Sequence, residues 1–425
     1  MIRKMIVALS MFISKKWYCV SLALCGVIFA TSALAAPVKM AMVESLSGPQ
    51  ASTGILYLTA VRYVINSINA TGGWGGEQIQ LIEYDNQGGT SGASDKVKAA
   101  IADGVQVIIQ GSSSAVAGQI TEDVRKHNLR NPGKELLYLN FGGEALELTG
   151  EKNHFYHFRF CTNSDIRVKA LVSAMKQAGV LGKNIYSMNQ NYSWGLDMQN
   201  AILGNAPQGG YQIVGTTLHD VNKIQDFSPY IAKIKDAKPD TVITGNWSND
   251  LLLLMKAAHS ANLKIRFATC FLDQPGNLAN AGDSALGSFV AHPLNIEAAG
   301  KEGDKFAQAY KAKTGHLPSY VEPQAVYGMM LLEEALKKVK PEAGTLNITS
   351  LAKALENAQI TTPLGKATIR SADHQVIMPI AVSVVSKDAK YKVDGTNMGF
   401  KPVKVFTAEE AAVPVQASNK LQRPK

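Results

Sequence analysis

Two hydrophobic rhythms alternate along the chain. Val38–Leu46 is a nearly continuous apolar run of strand length, and Ile55, Leu58, Val61, Ile65 and Ile68 then recur at helical spacing over residues 55–69. The unit repeats. Ile79–Tyr84, Val105–Gln110 and Leu136–Phe141 read as strands, with helical segments at Ala93–Ala102 and Ala117–Lys126 between them. Strand–helix alternation implies right-handed crossovers and a parallel sheet covered on both faces.

A polar stretch at 161–165 interrupts the pattern, which then restarts. Ile185–Met188, Tyr211–Thr217, Thr241–Thr244 and Ile265–Thr269 are the next strands, with helices around 166–178, 195–203, 226–237 and 249–261. Helical segments at 300–313, 324–339 and 348–358 follow with no convincing strand between them, before Ala367–Arg370 and Val376–Val385 return to strand character. The expected fold class is α/β, with two doubly wound parallel-sheet lobes. Residues 407–425, with Pro414, Pro424 and few large apolar groups, read as a flexible tail.

The first 36 residues follow a different logic. They contain no acid, their basic residues end at Lys15-Lys16, and the apolar stretch Val20–Ala36 closes on the small-x-small pattern Ala33-Leu34-Ala35. A signal peptide over residues 1–35, cleaved after Ala35, is therefore expected. The alternative is an uncleaved anchor, since the apolar run approaches the roughly 20 residues a bilayer requires; the globular pattern that starts at once favours cleavage. Leu24 is too bulky for the residue before a lipid-modified Cys25. Export changes the charge picture, because nearly half of the net charge of +9 lies in this leader. It also leaves Cys161 and Cys270 as the only thiols, in an oxidising compartment where their pairing stays open.

With 425 residues, about two to three domains fit. At 46% hydrophobic and 18% charged, the composition excludes collagen, coiled coil, wholesale disorder and a polytopic membrane protein. Cofactor and catalytic motifs fail one by one. Gly72-Gly73-Trp74-Gly75-Gly76 follows a helix and precedes a strand, the reverse of a phosphate loop, so it reads as a turn. Gly179–Lys183 is too short for a Walker A loop, and neither a G-x-S-x-G elbow nor an H-E-x-x-H helix occurs. His154 and His157 lie three apart in an apparent strand, where they face opposite sides. The Lys337, Lys338 and Lys340 group suits a solvated helix end. No cofactor, metal site, catalytic residue or nucleic-acid partner is expected.

The residues that remain carry a resemblance. Ser45-Leu46-Ser47-Gly48-Pro49, Ile68-Asn69-Ala70-Thr71-Gly72-Gly73, Glu83-Tyr84-Asp85, Asn191-Tyr192-Ser193-Trp194-Gly195, Asp226-Phe227-Ser228 and Arg370-Ser371-Ala372-Asp373-His374-Gln375 stand in order over residues 45–375. The set resembles the periplasmic leucine/isoleucine/valine-binding family of transport receptors. That resemblance implies a type I periplasmic binding fold, two lobes joined by three crossings with the ligand between them. Crossings near 160–165, 287–294 and 362–371 would give one lobe from 36–160 plus about 294–362, and the other from 161–293 plus about 363–406.

Ligands of open α/β sheets sit beyond the carboxyl ends of strands, where loops and helix N-termini offer unpaired N–H groups. Gly111-Ser112-Ser113-Ser114 falls there, so the hydroxyls and amides of Ser112, Ser113 and Ser114 are candidates for a ligand carboxylate, beside the ordinary role of serine as a helix cap. Gly142-Gly143-Glu144 resembles the family loop that supplies a carbonyl and a Thr hydroxyl, with Glu144 in the Thr place; its carboxylate could accept a ligand ammonium or cap a short helix. Tyr192 and Trp247 resemble the family's two ligand-facing tyrosines, able to stack on a ligand or attract an ammonium. Asp273 is the acid nearest the family's ammonium-binding position, and Thr53 replaces another pocket aromatic. The resemblance thus implies a periplasmic receptor, monomeric and without enzymatic activity, that delivers an amino acid or small amphipathic carboxylate to separate permease and ATPase subunits of an ABC importer. A sensing module docked to a signalling receptor and an exported enzyme are the alternatives of other classes.

Overall fold

The computed structural model describes residues 36–424. The expected signal peptide lies outside the described residues. Five strands open the fold, β1 (Val38–Glu44), β2 (Ile79–Asp85), β3 (Val107–Gln110), β4 (Leu137–Asn140) and β5 (His157–Arg159), and each pairs in parallel with its sheet neighbour. Side chains alternate between the two faces of a strand. Val107 and Ile109 therefore join Met40, Met42, Leu137 and Leu139 under the helices Ala51–Ala70 and Glu322–Leu336, whereas Ile108 joins Ala41, Val43 and Tyr138 under Thr90–Ala102 and Ser114–Arg130. Both faces of β1, β3 and β4 are covered, so these three strands read as nearly continuous apolar runs.

The chain passes to a second sheet after Arg159, through the helix Ser164–Gln177. That sheet holds β6 (Asn184–Gln190), β7 (Gln212–His219), β8 (Thr241–Thr244), β9 (Arg266–Thr269) and β10 (Phe289–His292). After His292 it returns to the first lobe, where the helices Gly300–Thr314 and Glu322–Leu336 pack on Ala51–Ala70. Three strands follow, β11 (Gln359–Thr362), β12 (Gly365–Arg370) and β13 (Gln375–Ile377), then β14 (Ile380–Ser386) and β15 (Gly399–Phe406). The sheet orders are β11-β12-β13-β5-β4-β3-β1-β2 and β15-β14-β10-β9-β8-β6-β7.

Two expectations need correction here. The run Val376–Val385 is two strands in different sheets, because Pro379 has no N–H for a ladder and interrupts the run. The third passage between sheets consequently falls between Ile377 and Ile380 and not at 362–371; β13 joins the first sheet by pairing in parallel with β5, and β12 and β11 extend it by antiparallel pairing. Residues 407–424 are docked and not a loose tail. A capping box at Thr407 and Glu410 starts a short helix, and Lys169 donates to the Glu410 and Ala412 carbonyls. Beyond it Arg370 donates to the Val413 carbonyl, Asn419 to that of Ala372, and Arg423 pairs with Glu356 at 2.6 Å. The segment thus runs as a strap from the second lobe to the first.

Cys161 and Cys270 are both buried free thiols. Gly72–Gly76 is a helix-to-strand turn with four glycines at positive φ, pinned by the Trp74 indole N–H, which lies 2.7 Å from the Val339 carbonyl and 2.9 Å from that of Leu336.

Candidate ligand cleft

Each sheet turns its carboxyl-terminal strand ends toward the other lobe, and the lobes meet across the cleft between them. Ser248 Oγ donates to the Pro49 carbonyl at 3.1 Å, and the Leu146 N–H donates to Asp197 at 2.7 Å. Between these contacts lies a small chamber. Only about 20 Å³ of it is open to the centre of a water molecule, so the structure is a closed one.

On the first lobe the chamber is shaped by Glu44, the last residue of β1. A carboxylate there ends an otherwise apolar strand, fully buried, and it accepts the backbone N–H groups of Ser45 and Gly111 at 2.7 Å and of Ser112 at 3.0 Å. Burial pushes its carboxyl up from the ordinary value, against the pull of these hydrogen bonds. The expected role of the serine segment is thereby altered: the Gly111 and Ser112 amides are taken by the protein's own carboxylate. What remains for a ligand is the first turn of the helix Ser114–Arg130, whose N–H groups have no intrahelical partner. Ser113 stands at the N-cap position at φ +75° without a side-chain capping hydrogen bond, and Ser114 Oγ accepts the Ala145 N–H at 3.1 Å. Tyr57 packs closely on Gly111 and Gly142. A Cβ on Gly111 would sit 2.4 Å from its ring and one on Gly142 1.9 Å from its hydroxyl, so both positions require glycine.

Glu144 faces the same chamber but is not free. Arg167, from the helix Ser164–Gln177 of the other lobe, donates to its two oxygens at 2.7 and 3.1 Å, both side chains being 2% exposed. The guanidinium also donates to the Cys270 and Ala291 carbonyls and lies 5.0 Å from the Phe271 ring centre. Burial opposes its charge, yet the Glu144 attraction outweighs that and holds its pKa above the ordinary arginine value. The pair is neutral as a unit.

The remaining walls are aromatic. Trp247 donates its indole N–H to Tyr192 Oη at 2.7 Å, Trp194 donates to the Gly245 carbonyl at 2.8 Å, and Phe271 packs between Trp194 and Tyr320 with both ring centres 5.6 Å away. Burial pushes the Tyr57 and Tyr192 phenols up, so both remain neutral donors.

Of the residues singled out by sequence, Thr53, Ser112, Ser113, Ser114, Gly142, Glu144, Tyr192 and Trp247 line this one chamber. Asp273 does not. It lies beyond Phe271, 3.0 Å from His292 Nδ1, in the wall of a different chamber. Glu44, Tyr57, Arg167, Trp194, Phe271 and Tyr320 were not singled out as site residues by the sequence, although Trp194 stands in one of the stretches that carry the resemblance. The signal for Glu44 and Arg167 was a lone charge inside a buried pattern, which only a partner elsewhere in the chain can compensate.

Two doubly wound lobes closing on a desolvated chamber define a two-lobed binding protein. The chain belongs to the periplasmic binding protein family, whose model matches residues 37–390, and it is an extracytoplasmic solute receptor of that class. It is 59% identical to Leu/Ile/Val-binding protein homolog 4 of Brucella abortus, over 98% of this chain and all of the relative. With the Leu/Ile/Val-binding protein of Escherichia coli it shares 26% over 66% of this chain and 72% of the relative. A crystal structure of a leucine-, isoleucine-, valine-, threonine- and alanine-binding protein from Brucella ovis, in a closed conformation, superposes with a TM-score of 0.86 at 61% identity, over 91% of this chain and all of that one. A Rhodopseudomonas palustris solute-binding protein crystallised with 3,4-dihydroxybenzoic acid has the same fold, with a TM-score of 0.74 at 21% identity, over 88% of this chain and 98% of that one.

Proposed function

We propose that the protein captures an aliphatic amino acid in the cleft and presents it to an ABC importer. One observation carries this reading: a helix N-terminus on one lobe faces an aromatic wall on the other across a chamber with about 20 Å³ of room for water. The positive end of the helix Ser114–Arg130 suits a carboxylate. Glu144, already balanced by Arg167, offers lone pairs and no net charge, so a zwitterion meets a neutral site. The names of the relatives, leucine, isoleucine, valine, threonine and alanine binders, agree with this class. Lobe closure would desolvate the ligand and the chamber together. An aromatic carboxylate is the second reading, favoured by the six rings around the chamber.

Export by a signal peptide cleaved after Ala35, a monomeric state, and separate permease and ATPase chains complete the proposal. Mass spectrometry of the solute released from exported protein, followed by calorimetric titration with leucine, alanine and benzoate, tests the ligand class. Saturable leucine or alanine binding supports the first reading. Benzoate binding without amino-acid binding would replace it by the second. N-terminal sequencing of the same material should start at Ala36; a lipid-modified Cys25 would overturn the processing.

A further inference from the structure

The size of the ligand chamber is set by rings that are braced against one another. Trp247 is tied to Tyr192 and Trp194 to the Gly245 carbonyl through their indole N–H groups. Tyr57 accepts the Gln324 amide at 3.1 Å, and its ring fills the space that Gly111 and Gly142 leave free by lacking a Cβ. Phe271 has no polar handle and is held by packing. It is buried between Trp194 and Tyr320, the latter meeting it edge-on at an interplanar angle of 85°, and the Arg167 guanidinium carbon lies 5.0 Å from its ring centre. Interiors are packed as densely as organic crystals, so a wall of interlocked rings yields little.

Inside these walls about 20 Å³ is open to the centre of a water molecule. Taken as a sphere and widened by the radius of water, this space is a cavity of about 120 Å³, about four times the share of one water in the liquid. Alanine and threonine match that volume. Leucine, with an isobutyl group where alanine has a methyl group, exceeds it. Parting the lobes to make room would break the contacts that close them, Ser248 to Pro49 and Leu146 to Asp197, and would strain the Glu144–Arg167 pair. An oversized side chain therefore holds the cleft ajar or displaces a ring, and overpacking of this kind costs more than an added methylene gains by burial. The helix N-terminus of the first lobe suits the carboxylate, which leaves the aromatic wall of the second, Phe271 included, to the side chain.

From this geometry we infer that the chamber selects its ligand by size, taking amino acids with short side chains such as alanine and threonine in preference to leucine, and that Phe271 sets the limit. The inference rests on the amino-acid reading of the site and narrows it. Among the six rings of the chamber, only Phe271 carries no hydrogen-bonding group, so shortening it adds volume without stranding a donor or acceptor.

Calorimetric titration of the exported protein, freed of bound solute, with glycine, alanine, 2-aminobutyrate, norvaline and leucine measures the limit. In an unrestricted apolar pocket affinity rises about fourfold for each methylene buried. Here it should peak at alanine or 2-aminobutyrate, with leucine at least tenfold weaker than alanine. Phe271→Val should move the peak to norvaline or leucine and shift the ratio of alanine to leucine affinity at least tenfold toward leucine. A substitution that merely loosens the fold weakens every ligand alike and leaves this ratio where it was. Circular dichroism reports folding, and Phe271→Leu, a smaller change, serves where Phe271→Val does not fold. Affinity that climbs from alanine to leucine in the parent protein would overturn the size limit, and an unchanged ratio in the folded variant would overturn the part given to Phe271; both leave the amino-acid reading standing. Absence of saturable binding by all five amino acids would overturn that reading, and this inference with it.

Discussion

Glu144, in the loop after β4, and Arg167, on the first helix of the other lobe, form a two-point ion pair across the cleft with both side chains 2% exposed. A buried pair of this kind is held by its geometry, and removing one partner strands the other charge at a cost of about 3–5 kcal/mol. Glu144→Gln should therefore weaken lobe closure, lowering the calorimetric unfolding temperature and the affinity for the cleft ligand together. Glu144→Gln with Arg167→Met should cost less than Glu144→Gln alone. A double variant that is worse than the single one would contradict the pairing as the source of the effect.

Tyr192 and Trp247 are coupled through the indole N–H. Tyr192→Phe keeps the ring but leaves that donor without its acceptor in a closed cleft, a loss of about 1–3 kcal/mol. Ligand affinity should fall by roughly five- to 150-fold, as read by calorimetry. Should binding survive undiminished, the pair does not shape the closed chamber.

Asp197 offers a pH test of the lobe contact. Burial, the largest influence, raises its carboxyl to about 6, against the hydrogen bond from the Leu146 N–H. In the unfolded chain the group titrates near an ordinary aspartate value of about 4. The folded state thus holds more protons between these values. The stability this group contributes is fully present below about pH 4, declines as pH rises to about 6 and is constant above. Asp197→Asn keeps an acceptor for Leu146 and removes the titration. The difference in unfolding free energy between variant and parent should shift in favour of the variant from pH 4 to 6 and level off above; a difference flat across that window would refute the raised value.

The strap of residues 407–424 predicts a cost to truncation. Deleting residues 408–424 removes the carbonyl partners of Lys169 and Arg370 and the Arg423–Glu356 pair. A lower unfolding temperature is expected, with Lys169→Met producing a smaller fall of the same sign. An unchanged transition after the deletion would mean that these contacts carry no stability.

The two thiols should be inert. Burial pushes both Cys161 and Cys270 above the ordinary thiol value, and only the thiolate reacts readily. Ellman's reagent should label neither in the native exported protein and both after denaturation.

Most elements of the fold were legible in the sequence, because helical and strand periodicity is a local property of a few neighbouring residues. So were eight wall positions of the cleft, in part because strand ends and helix starts in a doubly wound sheet fall on one side and in part, as for Thr53 and Glu144, through the family resemblance. Tertiary structure alone decided the rest, and always for the same reason: the partner lies far off in sequence. Glu44 finds the amides of Gly111 and Ser112 across 67 and 68 residues, and Arg167 crosses to Glu144 from the opposite lobe. The apolar run 376–385 carries no mark of belonging to two sheets beyond Pro379, because sheet membership depends on which neighbouring strand has a free edge. The tail looks polar and loose by composition, yet it docks because Lys169, Arg370 and Glu356 stand ready on surfaces formed by other segments. Asp273 sits only two residues beyond Phe271, yet it pairs with His292, 19 residues further on, outside the chamber that Phe271 lines.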